Sequence, residues 1–144
     1  MQEICFEVSI YPFQIDFMDH VSNIVYIQWM EMGRCHLLDA VDLSVPKIAA
    51  EQFGPVLVET QIAYKKPLRL GDRVKVQVWL TELTAITAWI NFAFSNQNNE
   101  ICATGRQRGL FVDLKTGRPK RMSDEIQDRF RLYLKPDKDD EKAR

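Results

Sequence analysis

The sequence is poor in the residue types that build disulfide frameworks and metal centres. Its 144 residues include three cysteines and two histidines. Cys5, Cys35 and Cys102 are widely spaced and form no CxxC pair, and with only two histidines no metal site is expected. An odd number of cysteines also cannot all pair within one chain. Together with the missing signal-peptide pattern, this usage favours a reducing cytoplasm.

The chain also lacks an excess of charge and a long apolar run. It has 19 basic and 20 acidic side chains, for a formal net charge of -1, which gives no support for nucleic acid as the main partner. No apolar run approaches the ~20 residues that span a bilayer. No phosphate-binding loop or dinucleotide fingerprint is present. The length fits one domain that buries a core without disulfides or metals.

The first part of the chain predicts a strand and then a long helix. Residues 3–11 alternate apolar and polar side chains, which is typical of a half-buried strand, and Pro12 should end its pairing. Residues 22–42 carry apolar side chains at three-to-four spacing, the helical period. Ser22 or Asn23 is the predicted N-cap. Because the apolar surface is wider than one stripe, we expect the helix to be enclosed by a sheet or a partner subunit.

Four strands and two shorter helices are predicted after the long helix. Turn sequences separate the strands, which cover residues 56–66, 73–81, 84–95 and 101–113. A short helix over residues 46–52 precedes them and should stop at Gly54 and Pro55. A terminal helix is predicted after Ser123. The apolar face of this helix is expected to carry Ile126, Phe130 and Leu134.

This order of elements predicts an α+β fold. Hairpin-length turns imply antiparallel neighbours, and one helix cannot cover a wide flat sheet. We therefore expect a curved antiparallel sheet wrapped around the long central helix, in a single domain over residues 1–136. Residues 137–144 are nearly all charged and are expected to be disordered. An exposed sheet edge would pair with a second copy, so we expect a homodimer or homotetramer.

The segment from Asp16 to Tyr26 carries the chemistry. A carboxylate ends a strand-like segment, a polar turn with Ser22 and Asn23 follows, and the long helix then begins. A helix N-terminus offers unpaired backbone N–H groups and a partial positive charge. A base that faces such a helix end suits acyl transfer. The competing interpretation is that Asp16 only caps the turn.

The same residues resemble a known family. The pattern Asp-x-x-x-His-Val-x-Asn-x-x-Tyr over residues 16–26 is similar to the N-terminal motif of the hotdog-fold thioesterases. The 4-hydroxybenzoyl-CoA thioesterase-like acyl-CoA hydrolases are the branch that it resembles most. The Tyr-x-x-Pro-x-x-x-Gly-Asp segment over residues 64–72 is a second match. Residues 112–119 resemble the family's last strand and the chain that leaves it, so the resemblance covers about residues 3–122.

Three positions depart from the family pattern. Asp19 stands where glycine is often found before His-Val, Ser22 stands where asparagine is common, and Gln14 stands where an acidic residue is common. Asp19 adds a second carboxylate to the loop. We expect this residue to alter the turn or to raise the proton affinity of Asp16. The three departures bear on the substrate and the shape of the loop more than on the fold.

The resemblance implies an acyl-CoA thioesterase that works without cofactor or metal. Asp16 is implied as the catalytic residue, either as the general base for water or as the nucleophile. A backbone N–H near Asn23 is implied as the donor that polarises the thioester carbonyl. His20, Asn23 and Tyr26 are implied as substrate-binding residues, with turn formation, capping and core packing as the competing interpretations. The thioester would be carried by CoA or acyl carrier protein, and its acyl group would be aromatic (hydroxybenzoyl or dihydroxynaphthoyl) or fatty.

Several alternatives stay open from the residues themselves. Glu31 is a second candidate carboxylate, although pairing with Arg34 would explain it equally. The three departures suggest a non-catalytic acyl-CoA-binding domain, and the proximity of His20 to Asp16 suggests an enoyl-thioester hydratase or dehydratase. Three basic clusters are candidates for contact with the CoA phosphates: Lys65, Lys66 and Arg69; Arg106 and Arg108; and Arg118, Lys120 and Arg121.

Overall fold

The computed structural model describes residues 2–135, so the expected disordered tail, residues 137–144, lies outside the described residues. Its strands are β1 (Ile4–Ser9), β2 (Phe53–Tyr64), β3 (Arg73–Leu83), β4 (Thr87–Ser95) and β5 (Ile101–Asp113). Its helices are α1 (Asn23–Ala40), α2 (Val45–Glu51) and α3 (Asp124–Arg131). The strands form one sheet in the order β1-β3-β4-β5-β2, and every neighbouring pair is antiparallel. The predicted α+β fold, a curved antiparallel sheet around a long helix, is confirmed.

Helix α1 packs closely against the middle of the sheet. Ser22 is its N-cap, as predicted, but the serine side chain makes no capping hydrogen bond. Gly33 lies where the helix approaches the sheet, and a Cβ at this position would be 2.9 Å from Val78 Cγ2 and 3.0 Å from Phe92 Cε1. A larger side chain would therefore push the helix away from a close-packed core. The buried face of α1 consists of Val25, Tyr26, Trp29, Met30, Gly33 and Leu37.

Strand β2 forms one edge of the sheet and pairs only with β5. It begins at Phe53, three residues before the predicted start, and runs through Gly54 and Pro55. The proline is tolerated because the outer side of an edge strand needs no N–H donor. The prediction that Gly54 and Pro55 lie between the helix and the strand was therefore wrong, because both residues belong to the strand. The exposed fraction of Val58 is 46%, and Val56 and Leu57 before it are also exposed.

The opposite edge is shorter and is partly continued by the end of the described chain. Strand β1 pairs with β3 over six residues. Beyond it, the Leu80 N–H donates to the Tyr133 carbonyl at 2.8 Å, and the Lys135 N–H donates to the Leu80 carbonyl at 2.6 Å. Leu134 thus pairs with β3 after α3 has ended, and the prediction that it belongs to the helix face was wrong. The unpaired backbone of β3 beyond β1 offers hydrogen bonds that a further helical turn would forgo.

The terminal helix otherwise follows the prediction. The Ser123 side chain caps α3 by accepting from the Ile126 N–H at 3.2 Å, and Phe130 is buried against the core. Within residues 2–135, no helix has the length and apolar character required to cross a membrane.

Candidate functional site

Asp16 lies in a short β-hairpin that leads directly into α1. Ile15 and Val21 pair across the hairpin, and the Asp16 N–H donates to the His20 carbonyl at 2.8 Å. Residues directly opposite in an antiparallel pair place their side chains on the same face. Val21 is buried and Ile15 packs against the core. Asp16 and His20 therefore share the opposite face, which points away from the core.

The two carboxylate oxygens of Asp16 have different surroundings. Oδ1 accepts from the Met18 N–H at 2.9 Å and from the His20 N–H at 3.2 Å, the arrangement of a side chain that stabilises its own turn. Oδ2 accepts no hydrogen bond from any of residues 2–135, and the side chain is half-buried. Turn formation and catalysis are therefore compatible interpretations of Asp16, because they use different oxygens.

The turn of this hairpin explains one departure from the family pattern. Asp19 has a φ of 63°, in the left-handed region that glycine adopts readily and that aspartate tolerates better than most residues. The chain thus makes a glycine-type turn without glycine. The backbone at Asp19 therefore follows a course that glycine would also allow, and the effect of its added carboxylate stays a prediction.

The N-terminus of α1 presents unfilled donors beside the hairpin. The Ser22 N–H donates to the Gln14 carbonyl at 2.8 Å, and the Val25 N–H donates to the Ser22 carbonyl at 3.0 Å. For the N–H groups of Asn23 and Ile24, the described chain provides no acceptor. The first turn also contains no acidic residue. The positive end of the helix dipole and two backbone donors are thus available to a ligand oxygen.

The two sequence segments that resemble the family lie side by side. The Val21 N–H donates to the Leu68 carbonyl at 2.8 Å, and Arg69 Nη2 lies 3.4 Å from His20 Nε2. The imidazole of His20 forms no hydrogen bond with the Asp16 carboxylate within residues 2–135. The histidine–carboxylate pair that a hydratase would use therefore has no support in the described geometry.

Tyr26 lies in the core behind the hairpin. It is 3% exposed, and its ring makes edge-on contacts with Trp29, Tyr64 and Phe94, with centroid separations of 5.4, 5.2 and 5.3 Å. Burial raises the pKa of the Tyr26 hydroxyl above its usual value. In this position Tyr26 packs the N-terminal half of α1 against the sheet.

A cavity of about 260 Å³ lies between the C-terminal half of α1 and the sheet. It is lined by Glu31, Arg34, Cys35, Leu37, Leu38, Val45, Ile48, Pro55, Val56, Leu57, Ala88, Ile90, Gly109, Phe111 and Phe130. Asp16, His20, Asn23 and Tyr26 do not line it. No pattern in the sequence indicates this cavity, because its walls come from six separate elements of the fold.

Arg34 is the cation of this cavity, and Gln107 holds it in place. Arg34 Nη1 donates to Gln107 Oε1 at 2.6 Å, and Gln107 Nε2 donates to Thr60 Oγ1 at 3.2 Å. Burial lowers the pKa of the Arg34 guanidinium, while Glu31 one turn away acts in the opposite direction. Arginine still remains charged at neutral pH.

Each of the three predicted basic clusters has a cation that is engaged within the protein. Lys66 pairs with Glu100, Arg108 with Glu59 and Arg121 with Asp124. Arg106 stacks over the Trp89 ring, with its guanidinium carbon 3.9 Å from the ring centroid. No group of three or more His, Cys, Asp or Glu side chains is arranged to hold a metal ion in residues 2–135.

Comparison with known proteins agrees with the fold and the hairpin motif. Residues 12–130 match the model of the thioesterase-like superfamily. The Arabidopsis thaliana acyl-acyl carrier protein thioesterase ATL3, a chloroplast protein, is 24% identical over 132 residues, which are 91% of this chain and 69% of the relative. The Escherichia coli long-chain acyl-CoA thioesterase FadM is 21% identical over 130 residues, 90% of this chain and 98% of the relative.

A solved structure shows the same architecture. The 1,4-dihydroxy-2-naphthoyl-CoA thioesterase from Synechocystis superposes with a TM-score of 0.81 at 18% sequence identity, over 90% of this chain and 96% of that one. At this identity the likeness concerns the fold. The match to the family model spans most of the chain and includes the hairpin with Asp16. The chain therefore belongs to the thioesterase-like superfamily, and it is a thioester hydrolase with the hotdog fold.

Proposed function

We propose that the chain is an acyl-CoA thioesterase that releases a free carboxylic acid and CoA. The family match and the relatives support thioester cleavage as the common reaction. By their names, the relatives act on acyl carrier protein thioesters, long-chain acyl-CoA and an aromatic acyl-CoA. Both the carrier and the acyl group therefore vary among similar proteins, and they have to be determined by experiment for this chain.

The single observation that carries the proposed mechanism is the free Oδ2 of Asp16 beside the open end of α1. As general base, Asp16 takes a proton from water while the water oxygen adds to the carbonyl carbon. As nucleophile, Oδ2 itself adds to that carbon, and water then cleaves the resulting anhydride. In both routes the C–S bond breaks and the CoA sulfur receives a proton.

The N-terminus of α1 supplies the second part of the mechanism. Addition to the thioester carbonyl places negative charge on its oxygen. The N–H groups of Asn23 and Ile24, together with the positive end of the helix dipole, stabilise that charge. Donors of this kind contribute about 3 kcal/mol each in well-studied enzymes. Because the donors belong to the backbone, the Asn23 side chain is not required for this role.

His20 and Tyr26 contribute by positioning in this proposal. The His20 N–H holds Oδ1 of Asp16 at 3.2 Å, which directs Oδ2 outward. Tyr26 fixes the first turns of α1 through its aromatic contacts. Neither side chain needs to exchange a proton with the substrate.

The test is thiol release from a panel of acyl-CoA and acyl carrier protein thioesters. Asp16→Asn removes the carboxylate but keeps an oxygen that accepts from the Met18 and His20 N–H groups, so the turn survives. We expect kcat/KM to fall about 10²–10⁴-fold. Asp19→Asn is the matched control, since it makes the same chemical change three residues away and asparagine suits a positive φ. Activity of Asp16→Asn close to that of wild type would remove Asp16 from the mechanism.

We also propose that the chain forms a homodimer through β2. One side of this 12-residue strand is unpaired, and Leu57 and Val58 are 44% and 46% exposed. The apolar surface continues at the candidate site, where Phe17 is 96% and Ile24 is 69% exposed. A second copy would cover both regions and pair the edge.

The free thiols of the three cysteines support the proposed location in a reducing cytoplasm.

A further inference from the structure

The cavity beneath α1 exists because two small residues meet in the sheet. Ala88 on β4 and Gly109 on β5 are direct partners in the antiparallel register, and both line the cavity. Neither carries a side chain beyond Cβ, so the inner face of the sheet is recessed at this point. Glu31 and Leu57, which also line the cavity, are exposed. The cavity therefore opens between α1 and the edge strand β2, with its floor at Ala88 and Gly109.

A charged donor group faces this largely apolar space. Arg34 is half-buried, and its hydrogen bond to Gln107 Oε1 uses one of its five N–H groups. The remaining N–H groups have no acceptor among residues 2–135, and Arg34 forms no ion pair there, even with Glu31. Gln107 is completely buried and uses both ends of its amide, towards Arg34 and Thr60. The guanidinium is thus fixed in place while most of its donors remain unused.

A half-buried guanidinium with unused donors can bind an oxygen atom of a ligand and keep its own hydrogen bond to Gln107. Hydrogen bonds to charged groups are among the stronger ones in proteins. We propose that this cavity binds the acyl group of the substrate, and that Arg34 selects acyl groups with a hydroxyl or carboxylate oxygen at the end remote from the thioester. This inference rests on the proposed thioesterase function and assigns its substrate class. Arg34 stands ten residues beyond Ile24 on α1, about 15 Å along the helix, so an acyl group that reaches from the helix N-terminus to Arg34 is a long aliphatic chain.

The first test uses pairs of acyl-CoAs that differ by that oxygen. Long-chain saturated acyl-CoAs are compared with their ω-hydroxy and ω-carboxy counterparts. We expect Arg34→Met to lower kcat/KM for the oxygenated member of the preferred pair by about ten- to a hundredfold. The other member should change much less, and Arg34→Lys should restore part of the preference. The pair that responds identifies a hydroxyl or a carboxylate as the preferred oxygen.

Arg131→Met is the matched control for this test. It makes the same change on the exposed surface of α3, where Arg131 pairs with Asp128. An equal loss on both members of every pair in Arg34→Met would show that Arg34 only ties the helix to the sheet. That result would overturn the proposed selection.

The second test fills the cavity from its floor. A Cβ at Gly109 would lie 3.6 Å from the Pro55 Cβ, an ordinary contact, and the glycine has no positive φ. Gly109→Ala and Gly109→Val therefore add volume in steps without backbone strain. We expect the longest acyl group that is cleaved to become shorter in that order, with at least a tenfold loss on that substrate in Gly109→Val.

The outcomes separate this inference from the proposed function. If wild-type protein cleaves no acyl thioester, the proposed function fails, and this inference fails with it. If wild type is active but Gly109→Val keeps the same length preference, the acyl group lies elsewhere and only the cavity assignment is wrong. Thermal unfolding of each variant confirms that a lost activity is not a lost fold.

Discussion

The two halves of α1 belong to one helix but have different surroundings. In the C-terminal half, Leu37 is 1% exposed, and Arg129 of α3 donates to the Val41 carbonyl at 3.4 Å. In the N-terminal half, Ile24 and Ile27 are 69% and 41% exposed. The helices α2 and α3 pack beside the C-terminal half, whereas no element among residues 2–135 covers Ile24 and Ile27 on the outer side of the N-terminal half.

This difference separates stability from function along a single helix. A closed apolar face contributes free energy of unfolding through burial and close packing. An open apolar face next to unfilled backbone donors and a free carboxylate oxygen is instead suited to ligands and partners. Substitution of a core side chain such as Leu37 should therefore mainly change unfolding of the single chain, while substitution of exposed apolar side chains at the N-terminal end should change activity and association.

The largest contrast is expected between Leu37→Ala and Ile24→Ala. Leu37→Ala leaves a cavity in the core, and the free energy of unfolding should fall by about 2–5 kcal/mol. Ile24→Ala should cost no more than about 0.5 kcal/mol at protein concentrations where copies are dissociated. Urea unfolding at several protein concentrations measures both. Similar losses in the two variants at low concentration would contradict the division of the helix.

An intermediate effect is expected from a charge on the open edge of the sheet. Val58→Lys places a lysine on β2, which disfavours pairing of that edge with a second copy. The dissociation constant of the dimer should rise at least about tenfold, or ~1.4 kcal/mol. Analytical ultracentrifugation measures it, with Ser9→Lys on the exposed side of β1 as control. An unchanged constant in Val58→Lys would place the dimer interface elsewhere.

The smallest effect concerns the buried hydroxyl of Tyr26. Because its pKa is raised in the folded chain, folding favours the neutral form. That stability is complete below the unfolded-state pKa of ~10 and is lost as the pH rises above it. The free energy of unfolding should then fall with a limiting slope of about 1.4 kcal/mol per pH unit, and Tyr26→Phe should remove this part of the loss. Tyr11→Phe, at a ring that is 55% exposed, is the control, and an equal change in both variants would refute the assignment.

Local patterns predicted the elements of the fold well, and their errors have physical causes. The helical period of residues 22–42 and the alternation of residues 3–11 reflect burial on one face, which the sequence records directly. The start of β2 at Phe53 was missed because Pro55 is acceptable only once the strand is known to be an edge. The position of Leu134 was missed because its pairing with Leu80 joins distant parts of the chain.

The candidate site divides in the same way. Asp16 and the α1 N-terminus are close in sequence, so a short motif was sufficient to predict that they are neighbours. The sequence could not show that Asp16 uses only one oxygen in the turn, because both interpretations require the same residue. The recess formed by Ala88 and Gly109 and the link from Arg34 to Gln107 depend on strand register and on helix position. Neither leaves a pattern in a single sequence.

The two edge strands of the sheet differ in length, and this difference bears on how readily the protein aggregates. If two β2 strands pair about a twofold axis, the unpaired backbone groups of both long edge strands become hydrogen-bonded. The borders that remain would be two copies of β1, each six residues long, with Cys5, Glu7 and Ser9 as its exposed positions. A short edge strand that carries the Glu7 carboxylate near its centre pairs poorly with further strands. In the proposed dimer, the same asymmetry would oppose fibrous aggregation when the protein is concentrated.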